Sequence, residues 1–221
     1  MHTGLALIVL VLFPQEKNEA EALFKKMEAK IAAATTVRMK MTGEMVSMKM
    51  TLSAEVLFGE GGKTRIDLEG KAGDQVMTAR FLSDGKRIRV ESSDKAAPKE
   101  LEAVATLGQR TRAFLARAGT FGVLESIDSV EELKAEPDDL IATSGHKLGA
   151  KEKVGDREAQ MVEYKVTRKG HRESTATVWI DLETLLPLKR TLTKGEITVS
   201  ETYAEFKLDE KIDAAKFELP K

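Results

Sequence analysis

Val46-Ser47-Met48-Lys49-Met50-Thr51-Leu52-Ser53-Ala54-Glu55-Val56 places an apolar side chain at every second position and a polar one between. Successive strand residues point to opposite faces, so this period of two predicts one long strand with an apolar and a polar face. Val37, Met39 and Met41 form a similar strand just upstream, joined through Thr42-Gly43-Glu44. Further upstream the period lengthens. Ala20, Leu23, Phe24, Met27 and Ile31 recur at three- and four-residue spacing, Asn18 can cap, and Glu21 follows three residues on. That pattern predicts one amphipathic helix ending near Ala34.

Downstream, short strands are predicted at Lys63 to Glu69, Gln75 to Leu82, and Arg87 to Glu91, the last after the turn Ser83-Asp84-Gly85-Lys86. Pro98 to Ala118 reads as a helix with Leu101, Val104, Leu107, Thr111, Phe114, Leu115 and Ala118 on one side. A weaker helical segment, Ser129 to Lys134, opens on the capping-box pattern Ser129-x-x-Glu132. The last third returns to strands near Lys147 to Lys153, Ala159 to Arg168, Ser174 to Asp181, Leu188 to Thr193 and Thr198 to Lys207, divided by turn residues such as Lys169-Gly170 and Lys194-Gly195. Helix, meander, helical insert, meander is an α+β plan: one large antiparallel sheet with helices on one face.

The 221 residues carry 35 Lys and Arg against 36 Asp and Glu, a net charge of -1, which excludes the basic excess that drives phosphate-backbone binding. With 32% charged and 42% hydrophobic residues the composition is that of a globular chain, and with no cysteine it has no disulfide, thiolate zinc site or cysteine nucleophile. Gly4 to Phe13 is an apolar run too short to cross a bilayer, which takes about 20 residues, and of signal-peptide length. Residues 1–15 are therefore expected to be a signal peptide or targeting segment and 16–221 a single domain. No basic residue precedes the run, and a buried N-terminal strand is the alternative.

Sites for chemistry are sparse. His2 lies in the apolar leader, and His146 and His171 sit beside turn glycines, where exposed loop positions are expected. Gly62-Lys63-Thr64 imitates the end of a phosphate loop, but Leu57 stands where that motif needs glycine, so a turn is the better account. Carboxylates are interleaved with Lys and Arg, as in Lys151-Glu152-Lys153, the pattern of a solvated surface. No catalytic residue, metal ligand or cofactor is nominated, and the expectation is a protein that is not an enzyme.

Methionine is the outlier: five of nine, at 39, 41, 45, 48 and 50, fall within twelve residues. Flexible thioether side chains suit a cavity for apolar chains, and they equally suit an ordinary core. A third reading is Cu(I), which selects soft ligands, at Met39-x-Met41 and Met48-x-Met50.

Several strings and their order resemble the periplasmic lipoprotein-carrier family of LolA, with its relatives LolB and RseB. The resemblance runs from about residue 20 to the C-terminus. It is carried by the helix leading into Ala34-Thr35-Thr36-Val37, by Ser83-Asp84-Gly85-Lys86 before Ile88 to Val90, and by Val178-Trp179-Ile180-Asp181 followed by Leu186-Pro187-Leu188. It closes on Ile212-Asp213-Ala214-Ala215-Lys216-Phe217 and Leu219-Pro220. The resemblance implies a half-open, strongly curved antiparallel sheet around an apolar cavity, lidded by helices that include the central insert Pro98 to Ser129. It implies a monomeric, periplasmic or otherwise exported carrier or binder of lipid or lipoprotein acyl chains, without cofactor, meeting a membrane-protein donor or acceptor. The inward residues would be Met39, Met41, Met48, Met50, Leu52, Ile66, Leu68 and Phe81 from strands, with Leu107, Phe114, Leu115 and Phe121 from the lid. A same-fold envelope sensor is the alternative function. Two departures stand out. The family's arginine latch has no counterpart in Gly59-Glu60-Gly61-Gly62-Lys63, and aromatics make up only 5% of the chain.

Overall fold

A computed structural model of the chain describes residues 18–93, 97–127 and 136–220. Helix α1, Glu19–Ala33, begins where the Asn18 side chain accepts a hydrogen bond from the Glu21 amide at 3.2 Å. Phe24, Met27 and Ile31 on its buried stripe are wholly out of solvent, each stabilising by about 1.5–3 kcal/mol. Strands β1 (Val37–Met45), β2 (Met50–Phe58), β3 (Lys63–Ala72), β4 (Gln75–Asp84), β5 (Arg87–Ser92) and β6 (Lys99–Glu102) form a meander. Helix α2 (Leu107–Ile127) and the single turn α3 (Pro137–Leu140) come next. A second meander follows: β7 (Ile141–Val154), β8 (Arg157–Arg168), β9 (Ser174–Asp181), β10 (Pro187–Lys194) and β11 (Ile197–Leu208).

All eleven strands belong to one antiparallel sheet of order β6-β5-β4-β3-β2-β1-β11-β10-β9-β8-β7, so the first strand of one meander pairs with the last of the other. The sheet is open, with β6 and β7 at its edges. One face is apolar and carries α1 and α2; the expected α+β architecture is the one observed. On that face Met39, Val56, Ile66, Phe81 and Val90 occupy one cross-strand row, and Met41, Ala54, Leu68 and Ala79 the next.

Four expectations change. The long strand of residues 46–56 is split: Val46–Met48 is a 3-10 turn closed by Lys49 at φ 49°, and Gly43, expected in a turn, sits inside β1. Period-two alternation continues by coincidence through a reversal that needs one left-handed residue. The predicted helix from Pro98 begins only at Leu107, because 99–102 pair with β5 as an edge strand, where proline is tolerated beside the first residue. His146 is 5% exposed rather than on a loop, because β7 bulges between Ser144 and Lys147, where Gly145 has φ 64°, and the following side chain is turned inward onto Phe24 and Tyr164. Gly62-Lys63-Thr64 is a turn into β3, as expected. The targeting segment 1–15 and the helical segment Ser129 to Lys134 lie outside the described residues.

Candidate functional site

Helix α2 lies on the apolar face of the sheet and is broken at Gly119, whose backbone (φ 74°, ψ -168°) is open to glycine and strained for other residues. A Cβ there would also collide with the Glu201 carboxylate. The break divides the helix into a proximal part, 107–118, and a distal part, 120–127.

Three arginines fix the proximal part. Arg112 donates to the Thr35 carbonyl at 2.9 Å and the Gly59 carbonyl at 3.4 Å, tying the helix to the far ends of β1 and β2. Arg117 pairs with Glu28 of α1 and Asp138 of α3 and donates to the Ile141 carbonyl at 2.5 Å. Arg190, 1% exposed on β10, donates to the carbonyls of Leu115 and Ala116, both at 2.7 Å, supplying partners that the interrupted helix cannot. Burial opposes the ionisation of Glu28, but hydrogen bonds from Lys25 and Arg117 outweigh it and hold the carboxyl below its ordinary range.

The distal part starts on Glu201, 2% exposed and opposite Arg190 in the β10–β11 register. Its carboxylate accepts the amides of Thr120 (2.9 Å) and Phe121 (2.7 Å) and the Tyr203 hydroxyl (2.6 Å), a charge-assisted cap at a helix N-terminus. Burial and the neighbouring Glu201 charge push the Tyr203 hydroxyl well above its ordinary pKa. Burial pushes Tyr164 up to about 12, so its hydroxyl stays a donor to the Arg117 carbonyl at 2.8 Å.

The twelve residues assigned inward from the sequence divide into three groups. Met39, Met41, Ile66, Phe81, Leu107, Phe114 and Leu115 are buried together in the main core. Leu52 is buried in a second cluster with Met45 and Val199, against which Met50, Leu68 and Phe121 pack half-buried. Met48 is 54% exposed on the 3-10 turn, so it leaves the set, and Met48-x-Met50 is not a pair on one strand face. A small depression of about 20 Å³ lies where Phe114, Ala118 and Gly122 of the helix face Ile141, Val166 and Leu192. Beside the distal part an apolar pocket of about 250 Å³ opens between Phe121, Leu192, Lys194, Ile197 and Val199.

Sequence reasoning missed Arg190 and Glu201. Both occupy inward positions, in Arg190-x-Leu192 and in Val199-x-Glu201-x-Tyr203, and the turn at 195–196 puts them opposite each other. Charges facing inward at matched positions of a hairpin were the available signal. Arg112 reaches from the helix to the Gly59 carbonyl at the start of the 59–63 connection.

The opposite face carries an apolar cluster of Ala159, Trp179 and Leu188 on β8–β10 and a polar stretch on β1–β5. Lys40, Glu55, Asp67, Arg80 and Glu91 form a cross-strand row bordering a depression of about 770 Å³. Burial raises the Asp67 carboxyl, but hydrogen bonds from Arg80 and Arg65 overcome it and hold the group below its ordinary range. Among the described residues no cluster of His, Asp and Glu is arranged to hold a metal ion, and no helix is long and apolar enough to cross a membrane.

No family model matches the chain, and no curated protein matches it. Among solved structures, LprF from Mycobacterium bovis aligns over 89% of this chain and 97% of its own, at 12% identity and a TM-score of 0.52. The Mycobacterium tuberculosis lipoprotein LppX aligns over 88% and 98%, at 14% identity and a TM-score of 0.47. A LolA superfamily protein from Nitrosomonas europaea aligns over 90% and 97%, at 11% identity and a TM-score of 0.35. The eleven-stranded open sheet with helices on its apolar face is similar in fold to LprF.

Proposed function

We propose that this chain is an exported, non-catalytic binder or carrier of lipid or lipoprotein acyl chains, held between α2 and the apolar face of the sheet. The observation that carries the reading is the broken helix: half of it is bolted to the main core, and the other half borders an apolar pocket at the edge of the Met45–Leu52–Val199 cluster. In the closed arrangement the inner residues pack on one another, so a long chain is accommodated by displacing α2. Its binding would be driven by apolar burial at about 25 cal/mol per Å² before ordering costs. That LppX is a lipoprotein supports an envelope setting.

The same-fold sensor is the second reading, favoured by the exposed apolar side chains Val46, Met48, Val76, Met77 and Ile197 on hairpins at one end of the sheet. Such a rim fits a protein partner as well as a membrane donor. MucB, which has been solved in complex with MucA, gives that reading its form: lipid occupancy would alter contact with a second protein.

Native mass spectrometry with lipid extraction, on protein produced with an export signal and purified without harsh detergent, tests the binding reading. A co-purifying lipid or acylated peptide supports it. Protein that is empty and also fails to take up added cis-parinaric acid overturns it.

A further inference from the structure

We propose that Met45, Met50 and Met77 form a thioether site for a soft monovalent metal ion, Cu(I), at one hairpin end of the apolar sheet face. The site is independent of the acyl-chain reading, which rests on the contacts of α2.

Sequence spacing pairs Met39 with Met41 and Met48 with Met50, but the fold groups the sulfurs differently. Met39 is wholly buried in the main core, and Met48 stands 54% exposed on the turn between β1 and β2. The register sets Met45 directly opposite Met50, and directly opposed side chains share one face with Cβ atoms about 4.5–5.5 Å apart. Met50 packs against the cluster that contains Met45, so the two meet on the apolar side. Met77 joins them from β4, a strand that no local pattern connects to β1 and β2. It pairs with Gly70, which pairs in turn with Leu52, and alternation along β4 puts it on the same face as Phe81.

Gly70 is what lets the sulfurs converge. A glycine inside a strand weakens it and marks a close approach. Gly43, the other strand glycine in this row, is accounted for by β11, because a Cβ there would lie 2.9 Å from the Ser200 carbonyl oxygen. At Gly70 the nearest atoms all belong to side chains: a Cβ would lie 3.3 Å from Leu52 Cδ2, 3.8 Å from the Met50 sulfur and 3.9 Å from the Met77 methyl. Strands two apart stand roughly 9–10 Å from each other, and the missing side chain on β3 leaves a gap into which thioethers from β2 and β4 both lean. Methionine turns about three side-chain bonds, so drawing the three sulfurs onto one ion asks for rotamer changes alone.

The donors choose the ion. Thioethers are neutral, polarisable and soft, and such ligands select Cu(I). Calcium and magnesium take oxygen ligands, and zinc takes thiolate, imidazole or carboxylate. The chain has no cysteine, and among the described residues no His, Asp and Glu cluster could hold an ion. A single positive charge is also the least costly to keep among neutral ligands beside Leu52 and Ala72. Exposure is graded along the site: Met77 is 41% exposed, Met50 half-buried and Met45 6% exposed. An ion therefore enters from solvent at Met77 and is held against the Met45–Leu52–Val199 cluster.

Titration of the full-length protein with ascorbate-reduced copper without oxygen, in competition with bicinchoninate, should give one equivalent of bound Cu(I). Met45→Leu, Met50→Leu and Met77→Leu should each weaken it by about tenfold or more, the cost that losing even an outer partner of a metal carries. Met39→Leu and Met48→Leu should leave it unchanged. Exchange of Met for Leu conserves volume and keeps the fold, and a readout on the unsubstituted protein decides the matter should a variant not fold. Ag(I), the redox-inert counterpart of Cu(I), should slow peroxide oxidation of Met77, while the more exposed Met48 oxidises at its unprotected rate. No Cu(I) uptake, affinity that ignores the three substitutions, or equal weakening by Met39→Leu overturns the site, and so does equal protection of Met48 and Met77 by Ag(I).

Discussion

The two parts of α2 share one helix and one sheet face, yet they are held by opposite kinds of contact. The proximal part is fastened along its length by guanidinium groups from its own side chains and from β10, over the main core. The distal part starts on one carboxylate, with Val123 buried in the main core and Phe121 and Leu124 only half-buried. A buried charge that stitches many backbone groups makes a strut, whereas one that caps a single turn makes a pivot. A helix can therefore be rigid and movable in adjacent turns.

Removing Arg190 should break that contrast with the largest effect. Arg190→Met leaves the Leu115 and Ala116 carbonyls and the Glu201 carboxylate buried without their cation, which should cost about 3–5 kcal/mol in urea-unfolding free energy. A loss under about 1 kcal/mol would mean that water or a rearranged helix replaces the guanidinium, and the strut assignment would go. Glu201→Gln is milder and local. The two N–H groups use different carboxylate oxygens, and in Gln one of those positions becomes an NH2 that faces a donor, so about 1.5–3 kcal/mol is lost, and hydrogen exchange in 120–127 should quicken by about tenfold or more while 107–118 stays protected. Equal acceleration on both sides of Gly119 would show that the two parts do not move separately.

How far the sequence discloses this contrast depends on the range of the contacts involved. Strands β3, β4 and β8–β11 were legible because period-two alternation and turn glycines are local signals, and α1 was legible from Asn18 and its apolar stripe. The turn at Val46–Met48 was not, because its apolar residues keep the strand rhythm while Lys49 takes the left-handed conformation unmarked by glycine or asparagine. In the site, strand parity places Met39, Ile66 and Phe81 and helical spacing places Phe114 on sides that the structure buries in the main core, but neither pattern can say whether inward means core or cavity. The break in α2 depends on Gly119 meeting a carboxylate far along the chain, a contact no local pattern encodes.

A pH titration sharpens the comparison from the proximal side. His146 stacks on Tyr164, whose hydroxyl holds the Arg117 carbonyl. Burial pushes the imidazole below its ordinary value, with Glu21 and Glu28 favouring the proton and Lys25 opposing it. The unfolded chain then takes up the proton first, so stability should be full above roughly pH 6.5 and fall below it, by at most about 1.4 kcal/mol per pH unit for one proton. His146→Phe should flatten that limb, leaving the loss at lower pH where carboxyls held below their ordinary range, such as Glu28 and Asp67, are protonated. An unchanged slope would assign the proton elsewhere.

The smallest effect belongs to the floor beneath the distal part. Lys49 holds φ 49° at the end of the turn joining Met45 to Met50, residues that pack in or against the cluster under Phe121. A left-handed conformation costs an ordinary residue about 1–2 kcal/mol, and glycine removes that strain while adding unfolded-state entropy. Lys49→Gly should therefore stabilise the protein by about 0.5–1 kcal/mol net. It should leave exchange in 107–118 and the rate of acyl-chain uptake unaltered, since the turn carries strain and does not hold α2. A faster uptake on this substitution would shift the moving element from the helix to the β1–β2 hairpin, because relieving the turn would then have freed the element that moves.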